Sequence, residues 1–213
     1  MAYQASMFLL PEGEQIHWKY SDVPRWAKAA KDQGVNVVHI IGWSDGGIYA
    51  DQPSYKPDAR LGTWDDLSEA IRECHDIGVK VILFVNTFPI CVDLDWYDQE
   101  LYRYRAINEH GEWYPDECAG LGTVYGRLVT ASRVVPWKKG RTRLTVNGSL
   151  GVPEFRKLLV KQFRKLAEIG ADGLHIDQCT GWGFDFNPLV ELPPDQAIAE
   201  GQLRCLDEAL QAC

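Results

Sequence analysis

The sequence predicts an α/β protein: part of a (β/α)8 TIM barrel with about four strand–helix units and an insertion after the third strand. Three observations lead there. Amphipathic stretches alternate with short apolar runs; each amphipathic stretch closes at a glycine and the apolar run follows at once; and the connections leaving the apolar runs are long. Alternating units with tight helix-to-strand joins imply a parallel sheet. Long loops confined to the C-terminal side of the strands are how eight-unit barrels build their sites. A doubly wound sheet shares the rule that ligands bind beyond the strand ends, but no G-x-G-x-x-G and no P-loop favours nucleotides.

The elements follow in order. A first strand is expected near Ser6–Leu10. Val23, Trp26, Ala27 and Ala30 then fall at i, i+3, i+4, i+7, which predicts a helix, and Asp32-Gln33-Gly34 closes it. The run 35–42 is continuous, rich in Val and Ile, and reads as a strand buried on both faces. Thr63 followed by Asp65 and Asp66 marks the next helix start, with Leu67, Ala70, Ile71 and Cys74 on one face. Asp76-Ile77-Gly78 ends it, and 79–87 is the third strand. An excursion of roughly 60 residues follows. Its expected content is a short helix near 94–103, a hairpin around Asn108–Gly111, and strand-like pieces near 124–135 and 141–147. Pro153 suits a helical first turn, and Phe155, Leu158, Leu159, Phe163, Leu166 and Ala167 line one face of the helix it opens. Its lysines and arginines at 157, 161, 164 and 165 lie largely elsewhere. Glu168-Ile169-Gly170 precedes the fourth strand, ADGLHIDQ, and a last helix over about 194–212 puts Ala199, Leu203, Leu206 and Leu210 on one stripe. The chain therefore reads as a single, incomplete barrel domain over 1–213, with an insertion subdomain over about 90–150.

Acidic residues outnumber basic ones, 30 to 22, for a formal net charge of −8. That argues against nucleic acid and anionic membranes as partners. The start carries no basic, apolar secretion signal and no stretch is long and apolar enough to span a membrane, so a cytoplasmic location is expected. The six cysteines form no C-x-x-C and the five histidines no H-E-x-x-H, so neither a metal nor a cofactor is expected. Eight Trp against two Met is the unusual number. Indoles serve sugar sites as flat apolar platforms, and they also fill cores.

The strand Gly173-Leu174-His175-Ile176-Asp177-Gln178-Cys179 carries the most chemistry. Alternation sends Leu174 and Ile176 toward the helices, and Gly173, His175 and Asp177 the other way. Asp177 then ends an apolar strand at the C-terminal rim, where a carboxylate is costly unless paired or used; bonding the following loop is the competing role. Asn86 ends the third strand on the face of Ile82 and Phe84, placed to bind a hydroxyl, to position Asp177, or merely to cap the strand. Trp43 and Asp45 follow the second strand in GWSDGG, where Asp45 is also an ordinary turn residue. Gln178, Trp182 and Asp185 lie in the loop after Asp177. Gln178 and Trp182 are candidate sugar contacts, and Asp185 is expected to bond its own loop. Trp96, Trp113 and Trp137 are expected to core the excursion.

The run GADGLHIDQC resembles the fourth-strand region of TIM-barrel glycoside hydrolases of the α-galactosidase and α-glucosidase kind. VNVVHIIGWSDGG, LGTWDDLSEAIRECHDIGVKVILFVNTFP and VPEFRKLLVKQFRKLAEIGADGLHIDQ are similar to that superfamily too, so the resemblance covers about 20–190. It implies that Asp177 is the nucleophile of a retaining glycosidase on an α-linked sugar. It also implies that Asp45 accepts hydrogen bonds from two substrate hydroxyls beside an apolar Trp43 wall. α-Galactosidases carry Lys-x-Asp-Asn-Cys here; this chain has His175-Ile176-Asp177-Gln178-Cys179, so the cation two residues before the nucleophile is an imidazole, charged only when protonated. His175 is then a hydroxyl partner or a packed interior ring.

Retaining chemistry needs a second carboxyl, which the resembling families supply from a strand beyond the fourth. In the segment after Asp177 the first carboxylates are Asp185 and Glu191, and neither ends a strand. Four units are half of eight, so the chain reads as a fragment lacking its acid/base. The alternative is a non-catalytic carbohydrate-binding half-barrel, completed as a homodimer through open sheet edges. A metal-dependent hydrolase using His39, His175 and Asp177 is disfavoured, because His39 lies inside its strand.

Overall fold

The computed structural model describes residues 3–9, 16–48, 50–113, 123–124, 127–128, 145–177 and 183–213. Four parallel strands form the main sheet. They are β1 (Gln4–Phe8), β2 (Val37–Ile41), β3 (Lys80–Asn86) and, late in the chain, β8 (Gly173–Asp177), in the order β1-β2-β3-β8. This is a partial TIM barrel: the sheet is not closed, and β1 and β8 are its edges.

Three helices cover one face of the sheet: α1 (Val23–Lys31), α2 (Trp64–Asp76) and α3 (Pro153–Glu168). Each forms for a local reason. Pro24 sits in the first turn of α1 and Pro153 in that of α3, where a missing N–H costs nothing. Thr63 caps α2 reciprocally with Asp66: the Asp66 N–H donates to Thr63 Oγ1 at 3.2 Å, and the Thr63 N–H donates to Asp66 Oδ2 at 2.7 Å. The helices end as the sequence implies, with Gly34, Gly78 and Gly170 at φ +87°, +71° and +104°. Between helices and sheet lies the core, where Val38, Ile40, Val81, Leu83 and Val85 meet Leu67, Ile71, Phe155, Leu159 and Phe163, all buried. Each such side chain contributes about 1.5–3 kcal/mol by leaving water.

The excursion after β3 is gathered at its neck. β4 (Pro89–Cys91) pairs antiparallel with β7 (Thr145–Asn147), bringing the two ends of the insertion together. β5 (Thr123–Val124) and β6 (Arg127–Leu128) form a second small pair, and residues 129–144 lie outside the described residues. The expected hairpin is present: Ile107 bridges Trp113, and Gly111 donates to the Asn108 carbonyl at 3.0 Å. The short helix expected near 94–103 is not. Turns run through 92–100, and only Leu101–Tyr104 coils, as a 3-10 turn. Asp93, Asp95 and Asp98 favour such turns, because their side chains compete for backbone N–H groups.

The last helix, α4 (Ala197–Ala212), packs on α3 with a face other than the expected one. Ala197, Gly201, Gln202 and Cys205 are buried, while Leu203 and Leu210 are 58% and 81% exposed. Close approach outweighs the leucine stripe. At Gly201 the helix backbone lies against the 150–151 turn so tightly that an added Cβ would stand 2.4 Å from the Leu150 carbonyl carbon. Arg156, 6% exposed, locks the contact: its Nε donates to Glu208 at 2.9 Å and its Nη1 to the Leu150 carbonyl at 2.8 Å. No helix among the described residues is long and apolar enough to cross a membrane.

Candidate functional site

Register builds the site. In a parallel sheet, residues paired across strands project to the same face. Ser6, His39, Ile82 and Gly173 form one row; Phe84 and His175 belong to the next; Asn86 and Asp177 form the last, at the C-terminal rim. These rows occupy the face opposite the helices. The sheet thus brings together four of the residues singled out in the sequence: His39, His175, Asn86 and Asp177.

The two histidines are in contact. His175 Nδ1 lies 3.1 Å from His39 Nε2, and His39 Nδ1 lies 3.3 Å from Ser6 Oγ. The rings stand 4.5 Å apart, and the edge of Phe84 meets His175 at 5.6 Å. His39 is only 2% exposed, whereas His175 is exposed. Burial, and then the charge His175 would carry, lower the His39 pKa from 6.5 to about 4, so His39 is neutral near pH 7. Ser6, unmarked by any sequence pattern, joins only through register.

At the rim, Asp177 is half-buried and pairs in register with Asn86. Asn86 is 1% exposed, and among the described residues neither its side-chain Nδ2 nor its Oδ1 has a hydrogen-bond partner. Its backbone is fully engaged: the N–H donates to Tyr55 Oη at 2.7 Å, and that hydroxyl donates to the Asn86 carbonyl at 2.5 Å. A buried amide with both atoms unsatisfied costs stability unless something else meets it. Thr87, the next residue, donates its hydroxyl to Gln202 of α4 at 3.0 Å.

Trp43 departs from its expected role. It is 1% exposed and stacks on Tyr55 with centroids 6.3 Å apart; its indole N–H donates to the Phe84 carbonyl at 2.9 Å. A ring so enclosed offers no face to a sugar. The apolar wall expected of Trp43 is corrected to a core position, because the loop after β2 folds back and lays Tyr55 over it. Asp45 occupies the tight turn Ser44–Gly47, its N–H donating to the Lys56 carbonyl at 2.8 Å. It lines a groove of about 330 Å³ with Asp51, Ser54, Lys56 and Trp96; Asp177 is not among the lining residues. Asp51 shapes this loop, accepting from Ser44 Oγ and the Lys56 N–H at 2.9 Å each. Asp58 does the same one turn on. Burial works to raise its pKa, but hydrogen bonds from Arg60 and from the Gly46 N–H outweigh that and hold it below the usual value.

Gln178 and Trp182 lie outside the described residues, as does Trp137. Asp185 serves its loop and the excursion, accepting from the N–H groups of Ile107 at 3.1 Å and Asn187 at 2.9 Å. Trp96 both packs on the core and lines the Asp45 groove, its indole N–H donating to Ser54 Oγ at 3.2 Å. Trp113 is 37% exposed. Sequence reading missed Lys56 and Ser54, whose Ser-Tyr-Lys-Pro context signals only a loop. Among the described residues no group of three or more His, Cys, Asp or Glu side chains is placed to hold a metal.

No protein-family model matches the sequence, and no curated protein does either. Solved structures do match in fold. An α-N-acetylgalactosaminidase, NagBb, from Bifidobacterium bifidum superposes with a TM-score of 0.72 at 12% identity, covering 99% of this chain and 32% of that one. The trehalose-6-phosphate hydrolase TreA of Bacillus licheniformis gives 0.65 at 14% identity, covering 99% and 42%. An α-amylase from Geobacillus thermoleovorans, complexed with acarbose, gives 0.56 at 15%, covering 81% and 39%. The chain thus spans between about a third and two fifths of the length of these structures. At such identities the likeness is one of fold.

Proposed function

We propose that the chain is the first half of a glycoside hydrolase barrel that cleaves an α-linked sugar with retention, with Asp177 as nucleophile. One observation carries this reading: a carboxylate ends β8 at the open rim, in register with an amide, Asn86, that is buried and has no side-chain partner among the described residues. The fold shared with the matched glycosidases supports it, as does the resemblance of GADGLHIDQC to the fourth-strand region of barrels of the α-galactosidase and α-glucosidase kind. In the reaction the Asp177 carboxylate attacks the anomeric carbon and the bond to the leaving oxygen breaks. A carboxylic acid from a later strand of the whole barrel protonates that oxygen. The same residue, now a base, takes a proton from water, which attacks the anomeric carbon and releases Asp177. Asn86 both donates to and accepts from a sugar hydroxyl. Neutral His39 holds His175 by their shared hydrogen bond, two residues before the nucleophile.

A leaving group that needs no protonation tests this without the acid/base. A 5-fluoro-α-glycosyl fluoride, in galactosyl and glucosyl forms, is expected to label Asp177, read by peptide mass spectrometry. Label on another residue, or none on chain 1–213 and on a version extended through later strands, defeats the assignment.

The open edges favour a second reading, a non-catalytic sugar-binding half-barrel. The β8 edge of one copy pairs with the β1 edge of another, giving eight strands and covering Phe8, which is 43% exposed. A tight dimer by sedimentation, with no labelling of Asp177, distinguishes it.

A further inference from the structure

The outer face of α3 borders a groove rich in cations, in a chain that is acidic as a whole. It holds about 730 Å³ and is lined by Lys56, Lys161, Arg164 and Lys165 together with Ser54 and Trp96. Among the described residues Glu168 is the one carboxylate lining it, in a chain of formal net charge −8. Helical spacing concentrates the charge: 161, 164, 165 and 168 follow i, i+3, i+4, i+7, while Phe155, Leu159, Phe163 and Leu166 take the buried stripe. None of the four cations has a carboxylate within ion-pair distance among the described residues. Gathered cations of this kind make a local positive potential that a bound anion relieves.

Two features make it more than a solvated helix face. Lys165 is held in place, its Nζ 3.9 Å from the Trp64 ring centroid. Trp96 is fixed by the bond from its indole N–H to Ser54 Oγ at 3.2 Å, and Ser54 is only 7% exposed. Ser54, Lys56 and Trp96 also line the Asp45 groove, so the two grooves join there. An indole suits the C–H face of a pyranose; lysine and arginine suit its acidic substituents.

We propose that this groove binds an acidic oligosaccharide, one carrying carboxylate or sulfate groups, with Trp96 against a sugar ring and Lys161, Arg164 and Lys165 on the anions. The site is separate from Asp177 and does not depend on the catalytic reading. Titration calorimetry on chain 1–213 with trigalacturonic acid, a sulfated heparin disaccharide and neutral maltotriose tests it. At least one acidic probe is expected to bind roughly tenfold or more tighter than maltotriose, and to weaken about tenfold between about 50 and about 300 mM NaCl. Which acidic probe binds tighter tells carboxylate from sulfate. Lys161→Glu with Arg164→Glu is expected to lose that binding by roughly tenfold or more, circular dichroism being unchanged. Lys157→Glu, an exposed charge on the same helix outside the groove, and Asp177→Asn are expected to leave it intact. Equal binding of maltotriose, indifference to the double charge reversal, or sodium sulfate binding as tightly as the acidic sugars overturns the proposal.

Discussion

Asn86 concentrates the tension between stability and function at the level of one residue. Its backbone is held by Tyr55, yet its side-chain amide is buried with no partner among the described residues. An unsatisfied buried polar group costs about 1–3 kcal/mol, whereas an apolar side chain of the same shape escapes that cost. Asn86→Leu is therefore expected to leave stability unchanged or raise it by about 1 kcal/mol in urea unfolding. Under the proposed function the same substitution should weaken sugar binding roughly tenfold, since a hydroxyl would lose both partners. A clear loss of stability would show instead that the amide is structurally satisfied. Trp43 teaches the complementary point: an indole next to a glycine turn in sequence is enclosed in space because Tyr55 returns over it.

For a whole element, α4 is the instructive case. Alanine ordinarily stabilises a helix interior over glycine by about 1 kcal/mol. At Gly201 the sign should reverse, because the added Cβ meets the Leu150 carbonyl carbon at 2.4 Å. Gly201→Ala is expected to destabilise by about 2 kcal/mol, read as a lower urea midpoint at unchanged slope. A more stable variant would mean that the 150–151 turn moves aside readily. The contact also bears on the candidate site, since Gln202, next in the helix, accepts from Thr87 beside Asn86.

Across the whole molecule, the inner face of the sheet makes stability depend on pH. His39 has a folded pKa of about 4 against 6.5, lowered by burial and by His175. In that window the unfolded chain binds a proton that the folded chain refuses, so stability falls as pH drops from about 6.5 to about 4. The groups facing His39 are His175, Ser6 and Phe84, and of these only His175 is an ionisable side chain. His39→Leu is expected to flatten this part of the melting-temperature profile between pH 7 and pH 4.5. Profiles of equal slope would show that carboxylates alone set the acid sensitivity.

Strands, helices and their glycine stops were legible in the sequence, because period, capping and left-handed closure act between residues close in the chain. Thr63 with Asp66, and Gly34, Gly78 and Gly170, are examples. So was the rim position of Asp177, since alternation along a strand needs no tertiary information. Other features required the packed structure. The face α4 buries, the enclosure of Trp43, the contact of His39 with His175, and the basic groove of α3 with Lys56 and Trp96 all join residues far apart in the chain. Close backbone approach and side-chain packing decide these, and both act across a distance that hydrophobic period does not encode. By itself the sequence determined that a carboxylate, Asp177, falls at a strand end; only the tertiary structure decided which residues surround it, because packing joins positions far apart in the chain.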